Sequence, residues 1–432
     1  MTETYQTIPT RERVIIGGLS HGKASFEYTM TELTELARAD NLEVIDRVTQ
    51  NLDRVDAATY FGSGKVNEIK ELAQGLDVGT IIINDELSPS QLANLEKRTG
   101  LHFIDRTELI LEIFADRAHT REAKAQVEIA RLQYALPRIH PSANTLDQQR
   151  GGGGLMNRGA GETKSELNRR TIRKRISDLK QQLAAMTKTE QTKRERRRNS
   201  ALPQVALVGY TNAGKSTTLN QLLEVFSGVA GSKKQVFEKN MLFATLDTSV
   251  REIQLPTNQR FLMSDTVGFV SDLPHNLIES FKTTLAEAAQ ADLLIQVVDY
   301  SDPNYREMMV TTAQTLQEIG ISDIPMIYAF NKADLKGDTK FPELDGHDIT
   351  YSAKDPDSIK LLAKLITSII FADYKTVNLL LPFDRAKDVA ELEASANVHQ
   401  KDYTETGTQL NVTLSPQQLK EYAAFQVDPV QP

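Results

Sequence analysis

Short apolar runs alternate with amphipathic stretches over residues 13–105. The runs VIIGGL, EVIDRV, TIIIND and HFID stand between helix-like stretches such as SFEYTMTELTELARAD and SPSQLANLEKRTG. Strands that alternate with helices indicate a parallel sheet. We therefore predict a small parallel α/β subdomain over residues 1–107.

Residues 108–200 carry a helical pattern. The stretch RTELILEIFADRAHTREAKAQVEIARLQYALPRI predicts one long helix that ends before Pro137, and a second helix runs from about Ser165 toward Arg198. The second helix has an apolar stripe with the 4, 3, 4, 3 spacing of a coiled coil: Ile172, Ile176, Leu179, Leu183 and Met186. We expect it to face the stripe Ala123, Val127, Ala130 and Tyr134. The prediction is an antiparallel hairpin whose tip is the glycine-rich loop 150–161.

The alternation of strand and helix resumes over residues 201–373. The runs QVALVG, REIQL, RFLMSD, DLLIQVVD, IPMIYAF and DITYSA predict a mixed sheet with flanking helices. Over residues 374–432, TVNLLLPF, NVHQKDYTET and QLNVTL surround the helical DRAKDVAELEASA and precede SPQQLKEYAAF, which predicts a small α+β domain. The fold class is therefore α/β with this appendage.

Composition narrows the possible chemistry. The 432 residues are 40% hydrophobic and 25% charged, with a net charge of −8 and no cysteine, so disulfides, thiolate metal sites and cysteine nucleophiles are excluded. The first residues lack a signal-peptide pattern, and no apolar run reaches the roughly 18 residues of a membrane span. We expect a cytoplasmic protein that is a monomer in solution and associates at most transiently with a membrane surface.

Basic residues are concentrated on the second predicted helix, although the chain as a whole is acidic. Together with two arginines of the glycine-rich loop they give a candidate RNA-binding set: Arg150, Arg158, Arg169, Arg170, Arg173, Lys174 and Arg175. Clustered Lys and Arg side chains bind nucleic-acid phosphates through their charge. The solvated face of a coiled coil gives the same pattern, so both interpretations stay open.

The segment VALVGYTNAGKSTTLNQLL predicts a phosphate loop. GYTNAGKS fits Gly-x-x-x-x-Gly-Lys-Ser, follows an apolar strand and precedes a helical stretch, which is the context this motif requires. Gly209 and Gly214 let backbone N–H groups surround phosphate oxygens at a helix N-terminus. Lys215 would neutralise the β- and γ-phosphates, and the Ser216 hydroxyl would bind Mg²⁺.

Two further segments predict that the base is guanine. FNKAD follows the buried strand IPMIYA, and the Asp334 carboxylate can accept from both N1–H and the exocyclic amine of guanine, a donor pair that adenine lacks. Asn331 and Lys332 would brace the loop and cover the base. SAK, residues Ser352 to Lys354, can present a backbone N–H to the guanine O6.

Two switch-like segments complete the predicted site. In MSDTVGF, Asp265 would hold Mg²⁺ through a water and the Gly268 N–H would reach the γ-phosphate; in LFATLDTS, Thr245 would be a second Mg²⁺ ligand. Lys215, Thr245 and Gly268 are the predicted catalytic residues. The predicted nucleotide-binding residues are Gly209, Tyr210, Thr211, Asn212, Ala213, Gly214, Lys215, Ser216, Thr217, Phe243, Ala244, Thr245, Leu246, Asp247, Asp265, Thr266, Val267, Gly268, Asn331, Lys332, Ala333, Asp334, Ser352, Ala353 and Lys354.

These residues resemble the HflX family of GTPases, in the Obg-HflX group of translation-factor-like GTPases. The likeness rests on FIDRTELILEIFADRA, the GGGG and GAGET segments, the arginine-rich helix, and NMLFATLD beside DTVGF, and it covers nearly the whole chain. It implies an N-terminal α/β subdomain, a helical hairpin, a GTPase domain and a short C-terminal domain.

The resemblance also implies a partner and a role. It implies a GTP hydrolase, with weaker ATP hydrolysis, that binds the ribosome through the large subunit and its rRNA and splits stalled or idle ribosomes under stress. A regulatory GTP-binding switch that recruits a protein partner, with no role for RNA, remains an alternative. An RNA-remodelling ATPase is a third, but FGSGKVNEI, residues Phe61 to Ile69, is an incomplete phosphate loop and is better explained as a turn that opens a helix.

Three positions qualify the mechanism. Phe269 stands where many GTPases carry the glutamine that orients water, and this predicts slow basal hydrolysis that a partner stimulates. Asn212 either braces the phosphate loop or holds a K⁺ ion against the phosphates. Ala160 replaces the proline common in GAGET-like segments and would loosen that loop.

Overall fold

The computed structural model describes most of the chain, which divides into two compact units. The described residues are 11–22, 25–139, 164–198, 202–226, 243, 249–271, 285–321, 323–337 and 339–427. The first unit comprises Met1–Thr192, Lys239–Asp247 and Ser271–Thr283, and the second comprises Lys193–Glu238, Thr248–Val270 and Thr284–Pro432. Among the described residues, no helix is both long and apolar enough to cross a membrane.

The first unit begins with a four-stranded parallel sheet in the order β2-β1-β3-β4. Its elements are β1 (Arg13–Leu19), α1 (Phe26–Ala39), β2 (Glu43–Gln50), α2 (Ser63–Leu76), β3 (Thr80–Ile83), α3 (Pro89–Thr99) and β4 (His102–Asp105). Ile15, Ile81 and Phe103 are fully buried in its core. The predicted parallel α/β fold is confirmed, and the FGSGK segment opens α2 as expected.

Local signals in the sequence fix the ends of these helices. At the start of α3, the Ser88 side chain accepts from the Gln91 N–H while the Gln91 side chain accepts from the Ser88 N–H, which is a capping box. Helix α3 ends at Gly100, whose φ of 74° terminates the helix without the strain that a side chain would add.

The predicted single helix before the glycine-rich loop is wrong: two helices are present, α4 (Arg106–Arg117) and α5 (Arg121–Ala135). Ala118 has an extended backbone, and the Thr120 side chain then accepts a hydrogen bond from the Ala123 N–H. A threonine N-cap satisfies one of the backbone donors at a new helix start, so it favours a break where the apolar pattern alone reads as continuous.

Helix α6 (Lys164–Arg198) packs against α5, but through a different face of α5 from the one we predicted. On α6 the contact uses Ile176, Leu179 and Leu183, as expected. The α5 side chains in the same cluster are Ala125, Ile129 and Leu132, whereas Ala123, Val127, Ala130 and Tyr134 are buried outside it. Because α5 also packs on α4, it has two apolar faces, and periodicity alone does not tell which helix each face meets.

The second unit contains a seven-stranded mixed sheet in the order β10-β11-β9-β8-β5-β7-β6. Its elements are β5 (Gln204–Val208), α7 (Lys215–Phe226), β6 (Ser249–Gln254), β7 (Arg260–Asp265), β8 (Leu293–Asp299), α8 (Tyr305–Glu318), β9 (Met326–Asn331), β10 (Glu343–Asp345), β11 (Asp348–Thr350) and α9 (Pro356–Ile370). Strands β7, β5, β8, β9 and β11 are parallel, while β6 and β10 pair antiparallel at the edges. The carboxyl ends of β5, β7, β8 and β9 therefore meet at one edge of the sheet.

A second sheet in this unit confirms the predicted α+β segment at the end of the chain. It is antiparallel in the order β13-β14-β12-β15. Its elements are β12 (Lys375–Leu381), α10 (Ala386–Ser395), β13 (Asn397–Tyr403), β14 (Thr408–Leu414), α11 (Pro416–Glu421) and β15 (Gln426–Val427). Alternate residues of β14 are buried, so one face of the sheet packs on its own core around Leu379 and Leu410.

Candidate nucleotide-binding site

The predicted phosphate loop connects the end of β5 to the start of α7. Gly214 has a φ of 96°, and a Cβ built there would lie 2.2 Å from Asn331 Nδ2, so only glycine fits. The Asn331 amide donates to the carbonyl of Ala213 at 2.9 Å. Asn331, at the end of β9, is therefore hydrogen-bonded to the predicted phosphate loop. Asn212 is exposed with a φ of 59°, and no hydrogen bond joins its side chain to another described residue.

Lys215 is held inside the loop. Its Nζ donates to the carbonyl oxygens of Gly209 at 3.1 Å and Tyr210 at 2.8 Å, and the residue is only 6% exposed. Burial lowers the pKa of the Lys215 ammonium to about 8, and the nearby Asp265 carboxylate partly opposes this shift. The Lys215 ammonium is thus held by backbone carbonyl oxygens of the loop.

Ser216 and Asp265 are adjacent. Ser216 Oγ donates to Asp265 Oδ2 at 2.6 Å, and Asp265, the last residue of β7, is fully buried. A hydroxyl beside a carboxylate supplies the hard oxygen ligands that Mg²⁺ prefers, so this donor set fits the ion. The Thr266 hydroxyl donates to the carbonyl of Leu207 at 2.7 Å, which fixes the backbone after Asp265 to β5.

The segment after β7 forms a short β-bridge with the phosphate loop. The Thr211 N–H donates to the Phe269 carbonyl at 2.8 Å, and the Phe269 N–H donates to the Gly209 carbonyl at 3.2 Å. Phe269 is 2% exposed, so its ring is buried and its backbone makes the contact with the loop. A Cβ built on Gly268 would lie 2.8 Å from Thr211 Cα and 3.0 Å from Lys215 Nζ, which explains why this position has no side chain.

The predicted base-binding segment is hydrogen-bonded to the loop after β11. Asn331 Oδ1 accepts from the Ala353 N–H at 2.8 Å, and the Ala333 N–H donates to the Tyr351 carbonyl at 3.2 Å. The Lys354 N–H donates to Ser352 Oγ at 3.3 Å. Asn331 is therefore the residue that joins the phosphate loop, the base-binding segment and SAK. Asp334 is exposed beyond them, in a short turn.

Two contacts beside the predicted base-binding segment were not expected from the sequence. Asp299, at the end of β8, accepts from Lys332 Nζ at 2.7 Å, and Lys336 Nζ lies 3.3 Å from the centre of the Tyr300 ring. Lys332 has a φ of 62°, so its side chain leaves a left-handed backbone and is then fixed by the carboxylate. An acidic residue that ends a buried parallel strand was the available signal for Asp299.

Some of the predicted nucleotide-binding residues lie outside the described residues. Ala244, Thr245, Leu246 and Asp247 are not among the residues that the structure describes. Phe243 is described and is buried in the first unit, where its ring centre lies 4.5 Å from that of Phe114. Thr217 is partly exposed at the start of α7, and Val267 is 5% exposed after β7.

The candidate RNA-binding residues have different environments. Arg175 Nε donates to Glu128 at 2.9 Å, and Arg169 donates to the Ile139 carbonyl at 2.8 Å, so both hold the hairpin together. Arg170, Arg173 and Lys174 are exposed on α6. Arg150 and Arg158 belong to the loop that the structure does not describe.

Comparisons with known proteins identify a family of GTPases. Three family models match: "GTP-binding GTPase N-terminal" over residues 27–115, "GTP-binding GTPase Middle Region" over 117–197 and "50S ribosome-binding GTPase" over 204–332. The chain is 38% identical over 397 residues to GTPase HflX of Alkalihalophilus pseudofirmus, covering 91% of each chain. It is 39% identical over 381 residues to GTPase HflX of Caldanaerobacter subterraneus subsp. tengcongensis, covering 88% of this chain and 86% of that one.

Among solved structures, the chain is similar to a GTP-binding protein of Sulfolobus solfataricus in complex with GDP. The identity is 24% and the TM-score 0.43, and the match covers 84% of this chain and 99% of the other.

Proposed function

The chain belongs to the HflX family of GTPases and hydrolyses GTP, and we propose that it binds the large ribosomal subunit. We further propose that it uses GTP to split stalled or idle ribosomes under stress. The observation that carries the ribosome proposal is the exposed basic surface of α6, formed by Arg170, Arg173 and Lys174 in a chain of net charge −8. A match to a family model described as a 50S ribosome-binding GTPase supports it.

At the phosphate end, Lys215 would exchange its two loop carbonyls for phosphate oxygens, because a charged partner binds an ammonium more strongly than a neutral one. Ser216 and Asp265 would hold Mg²⁺, Asp265 through a water, and Thr245 stays the predicted second ligand. The ion, when bound, neutralises charge on the phosphates. The Gly268 N–H would donate to the γ-phosphate.

At the base end, Asp334 would accept from both donors of guanine while the stem of Lys332 covers the ring. The hydrogen bonds of Asn331 to Ala213 and Ala353 would keep the phosphate and base subsites at a fixed separation. A nucleotide whose phosphates are bound at the loop would then have its guanine base correctly positioned for Asp334. Asp334→Asn should weaken the preference for guanine.

The basic surface of α6 offers a direct test of RNA binding. Arg173→Glu with Lys174→Glu reverses two exposed charges whose side chains make no hydrogen bond or ion pair with a described residue. We therefore expect large-subunit binding to weaken and its salt dependence to become shallower. Sedimentation with isolated large subunits measures both effects.

The matched control is Lys360→Glu with Lys364→Glu, the same charge change on the exposed surface of α9. Undiminished binding by the α6 variant would remove RNA from the proposal. It would favour the second candidate, a GTP-binding switch that recruits a protein partner.

The hypothesis that the site holds a K⁺ ion rests on Asn212. Because its exposed side chain makes no hydrogen bond that would brace the described part of the loop, we include K⁺ as a cofactor to be tested. If K⁺ binds there, GTP turnover in KCl exceeds that in NaCl at equal ionic strength. Equal rates in the two salts would reject the ion.

Weak ATP hydrolysis, which the family resemblance implies, would use the same phosphate loop. Lys215→Ala should therefore abolish turnover of GTP and ATP together. ATP turnover that survived this change would point to a separate site.

A further inference from the structure

The phosphate loop contains a buried side-chain hydroxyl that makes no hydrogen bond with the described residues. Thr211 is 6% exposed, and its Oγ1 has no hydrogen-bond partner in the part of the chain that the structure describes. Its backbone N–H is fully engaged with the Phe269 carbonyl. A buried hydroxyl without a partner is unfavourable unless a ligand supplies the partner, so its presence in a binding loop indicates a contact with the bound nucleotide.

The position of the Thr211 side chain indicates which part of the nucleotide its hydroxyl would contact. A Cβ built on Gly268 would lie 2.7 Å from Thr211 Cγ2 and 3.0 Å from Lys215 Nζ. Thr211 therefore stands beside the backbone of Gly268 and near the Lys215 ammonium. These are the two groups that contact the γ-phosphoryl group in the function proposed above.

The same region lacks a polar side chain where one is expected. Phe269 follows Gly268, its ring is buried, and its N–H and carbonyl are both bonded to the phosphate loop. The Asp265 carboxylate accepts from Ser216. Among the described side chains at this point, Thr211 thus carries a hydroxyl that is still available to a ligand.

We propose that the Thr211 hydroxyl is a catalytic group that donates a hydrogen bond to the transferring γ-phosphoryl group. In hydrolysis the water oxygen bonds to the γ-phosphorus while the bond from that phosphorus to the β–γ bridging oxygen breaks. GDP leaves with the electron pair, and the water protons end on inorganic phosphate and solvent. The hydroxyl stabilises charge on the phosphoryl oxygens during this exchange. The inference rests on the proposed phosphate site and adds a residue to it.

Thr211→Val tests this, because valine keeps the methyl group beside Gly268 and replaces the hydroxyl with a second methyl group of similar size. We expect single-turnover GTP hydrolysis to fall about 10²-fold, as when one transition-state hydrogen-bond donor is removed from an enzyme. Affinity for GDP should be unchanged, whereas affinity for GDP with aluminium fluoride, which mimics the transferring group, should fall in parallel with the rate. Thr211→Ser, which restores the hydroxyl, should recover most of the rate.

Thr312→Val is the matched control, because Thr312 on α8 is fully buried and its hydroxyl also has no partner among the described residues. Parent-like hydrolysis by Thr211→Val would overturn the proposal, and so would an equal loss in both valine variants. Loss of GDP affinity together with rate would also overturn it, since the hydroxyl would then serve binding alone. Full GTP affinity in Lys215→Ala would instead refute the phosphate site itself, a separate failure.

Discussion

At the scale of single residues, the site depends on side chains that hold other side chains in place. Asn331 connects two loops through its amide, and Asp299 fixes Lys332 with an ion pair of 2.7 Å while also accepting from the Ser301 N–H at 3.1 Å. The motifs Gly-x-x-x-x-Gly-Lys-Ser and Asn-Lys-x-Asp could be recognised in the sequence because the residues of each motif lie close together in the chain. Asp299 and Thr211 were not assigned these roles, because each depends on a contact between distant segments.

Asp299→Asn should weaken GDP binding about fivefold, because a partly buried ion pair is worth about 1 kcal/mol and this one positions the lysine that we propose covers the base. Isothermal calorimetry on Asp299→Asn, Lys332→Met and the double variant measures the coupling. We expect Asp299→Asn to have no further effect once Lys332 is methionine. Additive losses would show that Asp299 acts on the fold and not through Lys332.

At the scale of helices and strands, buried periodic segments were predictable and helix breaks were not. The apolar runs of β1, β3, β5 and β8 stand out because each strand is covered on both faces. The break between α4 and α5 depends on a single N-cap, Thr120, inside a pattern that is otherwise helical. The short edge strand β10 has no buried residue and left no apolar signal.

We predict that Asp40, at the end of α1, makes the free energy of unfolding depend on pH. Burial raises the pKa of the Asp40 carboxyl to about 7, with Glu112 and Asp116 adding to the shift and Arg117 opposing it. The pKa is higher in the folded than in the unfolded chain, so this group favours folding at low pH and loses that contribution as pH rises from about 4 through 7. A carboxylate at a helix C-terminus is also disfavoured by the helix dipole.

Asp40→Asn should therefore stabilise the protein at pH 8 by about 1 kcal/mol, a value reduced for solvent screening at this partly exposed position, and have little effect near pH 4. Chemical denaturation at the two pH values measures the difference. Asp77→Asn, which alters an exposed carboxylate at the end of α2, is the matched control. A stability gain of equal size at both pH values would contradict this explanation.

At the scale of the whole molecule, the proposed function combines a GTP site with a basic helical surface. The phosphate loop and Gly268 belong to the second unit, while Ser271, three residues after Gly268, belongs to the first, where its carbonyl accepts from Arg106 at 3.2 Å. Arg106 is buried in an ion pair with Glu32 in that unit. The chain that follows the proposed γ-phosphate contact therefore continues into the unit that holds most of the basic helix.

The most direct test is GTP hydrolysis by the purified protein alone, with isolated large subunits, with whole ribosomes and with free RNA, all at one salt concentration. Since Phe269 supplies no group to orient water, we expect slow basal turnover that large subunits raise by about 10²-fold and free RNA does not. A rate that no ribosomal particle changes would contradict the proposed role on the ribosome while leaving the GTPase assignment in place.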